Sequence, residues 1–181
     1  VGSSIPGQGF NGGSAVTSPV TQGYAGGNGI AGQSSNRSAA GGGGASAAGG
    51  NATLGNGGNG GNGLSVSITG SPVTYAGGGG GSANNNGGNG GTGGGGTGAT
   101  NTTGQTNGAL NTGGGGGGND ASTPGAYSGA GGSGIVILRY PSGNSIIVGS
   151  GLSTGVLNGT VSGGTDKYTT FTLGSGTITF S

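Results

Sequence analysis

The sequence predicts a mostly irregular, all-β protein without α-helix. A bundle of polyproline-II-type (polyglycine) helices is joined to a small antiparallel β element. Three observations lead there. Glycine supplies 59 of the 181 residues, against roughly 7% in an ordinary globular domain. Asparagine falls at 56, 59 and 62 in the run Gly55-Asn56-Gly57-Gly58-Asn59-Gly60-Gly61-Asn62-Gly63, a period of three. β-Branched and aromatic residues gather into strand-like runs only after about residue 134, so the chain reads as a glycine-rich part, 1–134, and a β-strand element, 135–181.

The glycine-rich part comes first. Its tracts at 41–44, 77–81, 93–96 and 113–118 are unsuited to α-helix, because glycine costs about 1 kcal/mol per residue against alanine there. They are unsuited to ordinary strands as well, since they carry no side chains to pack. A period of three is that of a polyproline-II helix, which has no internal hydrogen bonds. Several such segments side by side can exchange N–H···O=C bonds laterally. Collagen requires unbroken glycine at every third place and abundant proline; here the phase breaks and there are 5 prolines. Disorder is the other rival: low hydrophobicity favours it, but the high net charge that normally accompanies it is missing, the formal charge being +1.

An internal repeat runs through this part. Ser18-Pro19-Val20-Thr21-Gln22-Gly23-Tyr24-Ala25-Gly26-Gly27 is matched by Ser71-Pro72-Val73-Thr74-Tyr75-Ala76-Gly77-Gly78, and more weakly by Thr123-Pro124-Gly125-Ala126-Tyr127-Ser128-Gly129. Pro19, Pro72 and Pro124, like Tyr24, Tyr75 and Tyr127, thus recur in three registers of about 52 residues. A fixed period of this size marks a repeated structural unit, so these six residues are expected at equivalent corners. A sugar-binding tyrosine stripe is the competing reading.

In the carboxy-terminal part, Ile135-Val136-Ile137-Leu138 predicts a strand buried on both faces, ended by Arg139-Tyr140-Pro141. Segments 145–148 and 155–161 predict further short strands. Tyr168 to Leu173 and Thr177 to Phe180 flank Gly174-Ser175-Gly176, which predicts a hairpin. Phe171 and Leu173, with Ile178 and Phe180, would form its apolar face. A lone hairpin is marginal in water, so that face needs a cover. Ile135, Val136, Ile137, Leu138, Phe171, Leu173, Ile178 and Phe180 are therefore the candidate assembly residues, and the hairpin is expected to add to a neighbouring subunit.

Composition argues against most chemistry. Cys, His, Met and Trp are absent, which removes thiolate and imidazole metal sites and the usual nucleophile–base pairs. Arg37, Arg139, Lys167, Asp120 and Asp166 are the charged residues. They are too few to neutralise phosphates and read as solvated surface groups. Asn36, Asn51, Asn101 and Asn158 begin sequons that chance explains at this composition. No run approaches the ~20 apolar residues of a membrane span. No enzyme activity, catalytic residue, metal, cofactor, nucleic-acid partner or membrane insertion is expected. The start at Val1 suggests a processed chain or an excised segment.

The run Gly63-Leu64-Ser65-Val66-Ser67-Ile68-Thr69-Gly70-Ser71-Pro72-Val73-Thr74-Tyr75-Ala76-Gly77, and the terminator Gly131-Gly132-Ser133-Gly134-Ile135-Val136-Ile137-Leu138-Arg139-Tyr140-Pro141, resemble the glycine-rich domains of bacteriophage tail fibres and related virion proteins. The likeness covers roughly residues 1–141. It implies a structural fibre or virion component that associates with itself, placed outside the cell or on a virion surface. Some fibre-tip relatives bind host receptors through loops between glycine tracts. In that family a strand pair like 167–172 with 176–180 precedes a glycine domain, whereas here it comes last. Head-to-tail addition of the C-terminal strands into an extracellular filament is the alternative expectation. Ice binding through flat threonine-asparagine faces is a third.

Overall fold

A backbone with few side chains still carries one N–H and one C=O per residue, and where those groups find partners decides its fold. The computed structural model describes residues 9–10, 12–15, 22–31, 37–119 and 127–181. Among them there is no helix, and the strands are short and antiparallel where they pair. The fold is thus mostly irregular and all-β. Two compact units divide the chain: Val1–Leu64 with Thr74–Ser133, and Ser65–Val73 with Gly134–Ser181.

Two short strand pairings occur along the glycine-rich part of the chain. β1 (Gly9–Phe10) pairs with β2 (Gly29–Ile30), and β3 (Leu64–Val66) with β4 (Val73–Tyr75); residues 65–73 of the second pairing group with the second unit. Much of the rest of the first unit's described chain is extended segments bonded sideways at every third residue, joined by turns. The N–H groups of Tyr24, Gly27 and Ile30 donate to the carbonyls of Gly44, Gly41 and Ser38 at 3.0, 2.9 and 2.9 Å, an antiparallel pairing. Those of Gly57, Gly60 and Gly63 donate to Asn86, Asn89 and Thr92 at 2.8 Å, a parallel one. A recurrence of three is the one the Gly-Gly-Asn sequence predicts.

One segment, 76–84, lies inside the others. It bonds with 37–44, 56–63, 86–92, 95–100 and 113–119. Its core is the run of five glycines at 77–81, and each faces a neighbouring backbone. A Cβ on Gly77, Gly78, Gly79, Gly80 or Gly81 would lie 2.4, 2.2, 1.9, 1.9 or 2.0 Å from a carbonyl oxygen of Gly91, Gly42, Gly116, Gly88 or Ala39. Such distances leave no room for any side chain. Among the described residues alanine is the largest apolar residue buried in this unit, as at Ala52, Ala83 and Ala99.

Outer segments show why asparagine repeats. In 56–63 the glycines face neighbouring backbone while Asn59 and Asn62 are exposed. Their side chains then close lateral bonds that the main chain leaves open. Asn59 Oδ1 accepts from Asn89 N–H at 2.9 Å and Asn62 Oδ1 from Thr92 N–H at 3.2 Å. Asn51, Asn28 and Asn107 do the same for Asn28, Gly12 and Ala130. Replacing Asn59 with alanine should cost about 1 kcal/mol, the net worth of one such bond. A denaturant midpoint identical to that of the unmodified chain would contradict this role.

The second unit is built on side chains instead. β5 (Val136–Pro141), β9 (Asp166–Gly174) and β7 (Leu152–Thr154) form a sheet in the order β5-β9-β7, with β8 (Gly159–Thr160) also on β9; β6 (Ile146–Val148) pairs with β10 (Ile178–Phe180). Tyr140, Ile146 and Phe171 are its buried core, with Leu138, Val148, Leu152 and Ile178 packed on them. Phe180 meets Tyr140 edge to face, 5.5 Å between centroids at 77°.

Asn158 ties this core together. It holds φ 51°, the left-handed region that asparagine tolerates best after glycine. Its Oδ1 accepts from Tyr140 Oη at 2.6 Å and from Ile146 N–H at 2.8 Å, while Nδ2 donates to the Ile146 carbonyl at 3.1 Å. Its own N–H donates to Thr169 Oγ1 at 3.0 Å. Since the tyrosine proton goes to Asn158, the Thr169 hydroxyl donates to Tyr140 Oη at 2.6 Å. The Asn158 sequon is thus a structural hub, and a glycan on Nδ2 would break it.

Three expectations are corrected here. The C-terminal hairpin does not form, because both edges of β9 are taken. β5 pairs along 166–171 and β8 and β7 occupy the other edge, so the 174–176 link carries the chain away to β6. The Ile135–Leu138 run is not buried on both faces: β5 ends the sheet, and Val136 is 59% exposed. Segment 155–161 is no single strand, since only Gly159–Thr160 pairs and the neighbouring strand is Leu152–Thr154.

Candidate assembly surface

Of the eight residues predicted for assembly, Ile135, Val136, Leu138, Phe171, Leu173 and Ile178 line one open hollow of about 520 Å³ in the second unit. β5 supplies Val136 and Leu138, which share a face because strand side chains alternate; β9 supplies Phe171 and Leu173. A register shift between Ser153 and Thr154 in the β7–β9 pairing accompanies the different fates of this pair. Phe171 is buried, whereas Leu173 is 74% exposed. The rim is therefore Val136 and Leu173, and the floor is Phe171 with half-buried Leu138 and Ile178.

Ile137 and Phe180 lie outside the hollow, Phe180 against Tyr140. Leu152 lines it without having been predicted; a single leucine between Gly151 and Ser153 shows no alternation that could reveal it. Beside the hollow, β5 is the end strand of its sheet, and its outer edge meets no strand among the described residues. An open sheet edge next to exposed apolar side chains is a template for another chain.

The predicted corners are separate from this surface. Tyr24, Tyr75 and Tyr127 have different neighbours. Gly43 packs on the Tyr24 carbonyl, Gly63 on that of Tyr75, and Gln105 Nε2 donates to the Tyr127 carbonyl. Pro72 is exposed, while Pro19 and Pro124 lie outside the described residues.

The hollow holds no titratable group. Of the charges on β5 and β9, Arg139 Nε lies 2.8 Å from Asp166 Oδ2 in a partly exposed ion pair that contributes at most about 1 kcal/mol, and Lys167 Nζ donates to the Asn144 carbonyl and Ser145 Oγ. No group of three acidic, histidine or cysteine side chains that could hold a metal ion occurs among the described residues. The chemistry on offer is apolar contact and main-chain pairing.

Main-chain bonding between glycine segments, with a small side-chain core beside it, defines a glycine-rich protein that is packed by its backbone. The model of the glycine-rich domain family matches residues 2–141, and the chain belongs to that family. No curated protein and no solved structure matches the chain.

Proposed function

We propose that this is a non-enzymatic structural protein, a rigid glycine-rich scaffold in a fibre on a virion or cell surface. The observation that carries the reading is the glycine segment 76–84, whose main chain is bonded to five neighbouring segments. Such a bundle is stiff and offers few reactive groups. The likeness of 63–77 and 131–141 to phage tail-fibre domains favours a virion component, with a host receptor as a further partner.

The second reading is an extracellular filament built by strand addition, and the free β5 edge beside the hollow favours it. β10, three residues long and paired only with β6, is the strand a neighbour would lend. Removing 165–181 would also remove β9 and the core, so point changes at the rim make the better test. Val136→Asp with Leu173→Asp should leave circular dichroism unchanged and raise the concentration needed for polymers at least about tenfold, equivalent to ~1.4 kcal/mol. Polymers that form as before under electron microscopy would reject the hollow as the joint, and a chain that stays monomeric at all concentrations would reject the filament. A virion fibre predicts instead a fixed copy number on a particle.

A further inference from the structure

The shell around 76–84 is incomplete. Its five neighbours form an arc in which each bonds to the next: 37–44 with 56–63, 56–63 with 86–92, 86–92 with 95–100, and 95–100 with 113–119. Among the described residues no bond joins 113–119 back to 37–44. A close-packed array of rods has six places around each rod, and among the described residues no segment fills the place between those two. A groove of about 570 Å³ occupies it, lined almost entirely by main chain.

The hydrogen-bond accounting of the central segment points to the same place. Every carbonyl from Ala76 to Ser82 accepts a lateral bond, from Ala45, Gly115, Gly91, Gly42, Gly118, Gly88 and Ala39 in turn. The N–H groups of Ala76, Gly77, Gly78, Gly80, Gly81 and Ala83 all donate. Those of Gly79 and Ser82, three residues apart, have no partner among the described residues. The Gly79 nitrogen sits between the two walls: it is 3.6 Å from a Cβ placed on Gly42 and 2.9 Å from one placed on Gly115. On the walls, the carbonyls of Ala40, Gly43, Gly113 and Gly116 line the groove and accept no bond from the described residues.

We infer that the groove is a binding site for an extended glycine-rich peptide segment of another protein, which completes the shell as a sixth rod. The unpaired Gly79 donor on the floor and the unpaired acceptors of the wall residues, spaced by three along each wall, match a backbone of the same period and nothing with bulky side chains. About six residues, roughly 19 Å at ~3.1 Å per residue, would span it. The glycine tracts of this chain among the described residues are already bonded within its own bundle, which favours a segment of a different protein as the occupant over those tracts of a second copy.

Titration of the full chain with a labelled peptide, Asn-Gly-Gly-Asn-Gly-Gly-Asn, tests this. Saturable binding is expected, with slowed hydrogen exchange at the Gly79 amide. Gly42→Val projects into the groove, where a Cβ meets Gly79 N and O only at 3.6 and 3.7 Å, ordinary contact. It should leave the fold intact and weaken binding at least about tenfold, equivalent to ~1.4 kcal/mol. Gly104→Val, where a Cβ would meet nothing within 4 Å, should bind as the unmodified chain does. Equal binding of an Asn-Ala-Ala-Asn-Ala-Ala-Asn peptide, undiminished binding by Gly42→Val, or no saturable binding would overturn the proposal. Self-association that Gly42→Val abolishes would overturn the choice of occupant in favour of a second copy.

Discussion

Gly80→Ala is expected to collapse the bundle. The added methyl would sit 1.9 Å from the Gly88 oxygen, 2.5 Å from its carbonyl carbon and 2.9 Å from that of Asn89. All three are backbone atoms, so no rotamer change can relieve the collision and the 86–92 segment itself must move. That segment donates through Gly88 and Gly91 to the centre and accepts from Gly57, Gly60, Gly95 and Gly98. Overpacking costs about 1–3 kcal/mol, and each lateral bond lost adds about 1 kcal/mol. A loss of about 4 kcal/mol or more follows, against a total stability of about 5–15 kcal/mol for typical proteins. Thermal unfolding followed by circular dichroism should show Tm lowered by about 10 °C or more. Gly104→Ala, placed in open space, should change it by no more than a few degrees. Equal melting of the two variants would mean that close backbone contact is not what holds the bundle.

Asn158→Ala is the corresponding change in the second unit, and its expected cost is about 3–5 kcal/mol. Alanine pays about 1–2 kcal/mol to hold a left-handed backbone. It also strips partners from the N–H and C=O of Ile146, a residue only 2% exposed, and an unsatisfied buried group costs about 1–3 kcal/mol. Tyr140 Oη loses its acceptor at the same time. Hydrogen exchange across 136–141 and 166–174 should accelerate by two or more orders of magnitude, since each ~1.4 kcal/mol is a factor of ten. Asn158→Asp keeps the acceptor oxygen and separates the two contributions. Exchange unchanged in Asn158→Ala would remove Asn158 from the centre of this account.

What could be read from sequence follows how local each cause is. The Asn56, Asn59, Asn62 spacing was legible because it states directly which residue of three faces outward. Which glycine tract lies inside was not: the six-residue tract at 113–118 is longer than the 77–81 run, yet 76–84 is the enclosed segment. Enclosure depends on the path of the whole chain, and tract length does not record it. In the second unit the strands at 136–141 and 146–148 follow from β-branched runs, whereas pairing depends on which edges remain open. Tyr168 to Leu173 carries a hairpin signal that loses to three better-placed partners on β9. The apolar hollow was reachable from Val136, Phe171 and Leu173 because alternation is local; Leu152 and the hub at Asn158 were not, because their partners lie on other strands.

The enclosed main chain of 76–84 also shapes how this protein meets temperature. Unfolding an ordinary domain wets hydrocarbon and raises the heat capacity, by about 12–15 cal/mol/K per residue; wetting peptide groups lowers it. In the glycine unit the groups released to solvent are chiefly amides and carbonyls, so the two contributions nearly offset. Its free-energy curve is correspondingly shallow, and chilling weakens it far less than it weakens a protein held by leucine and valine.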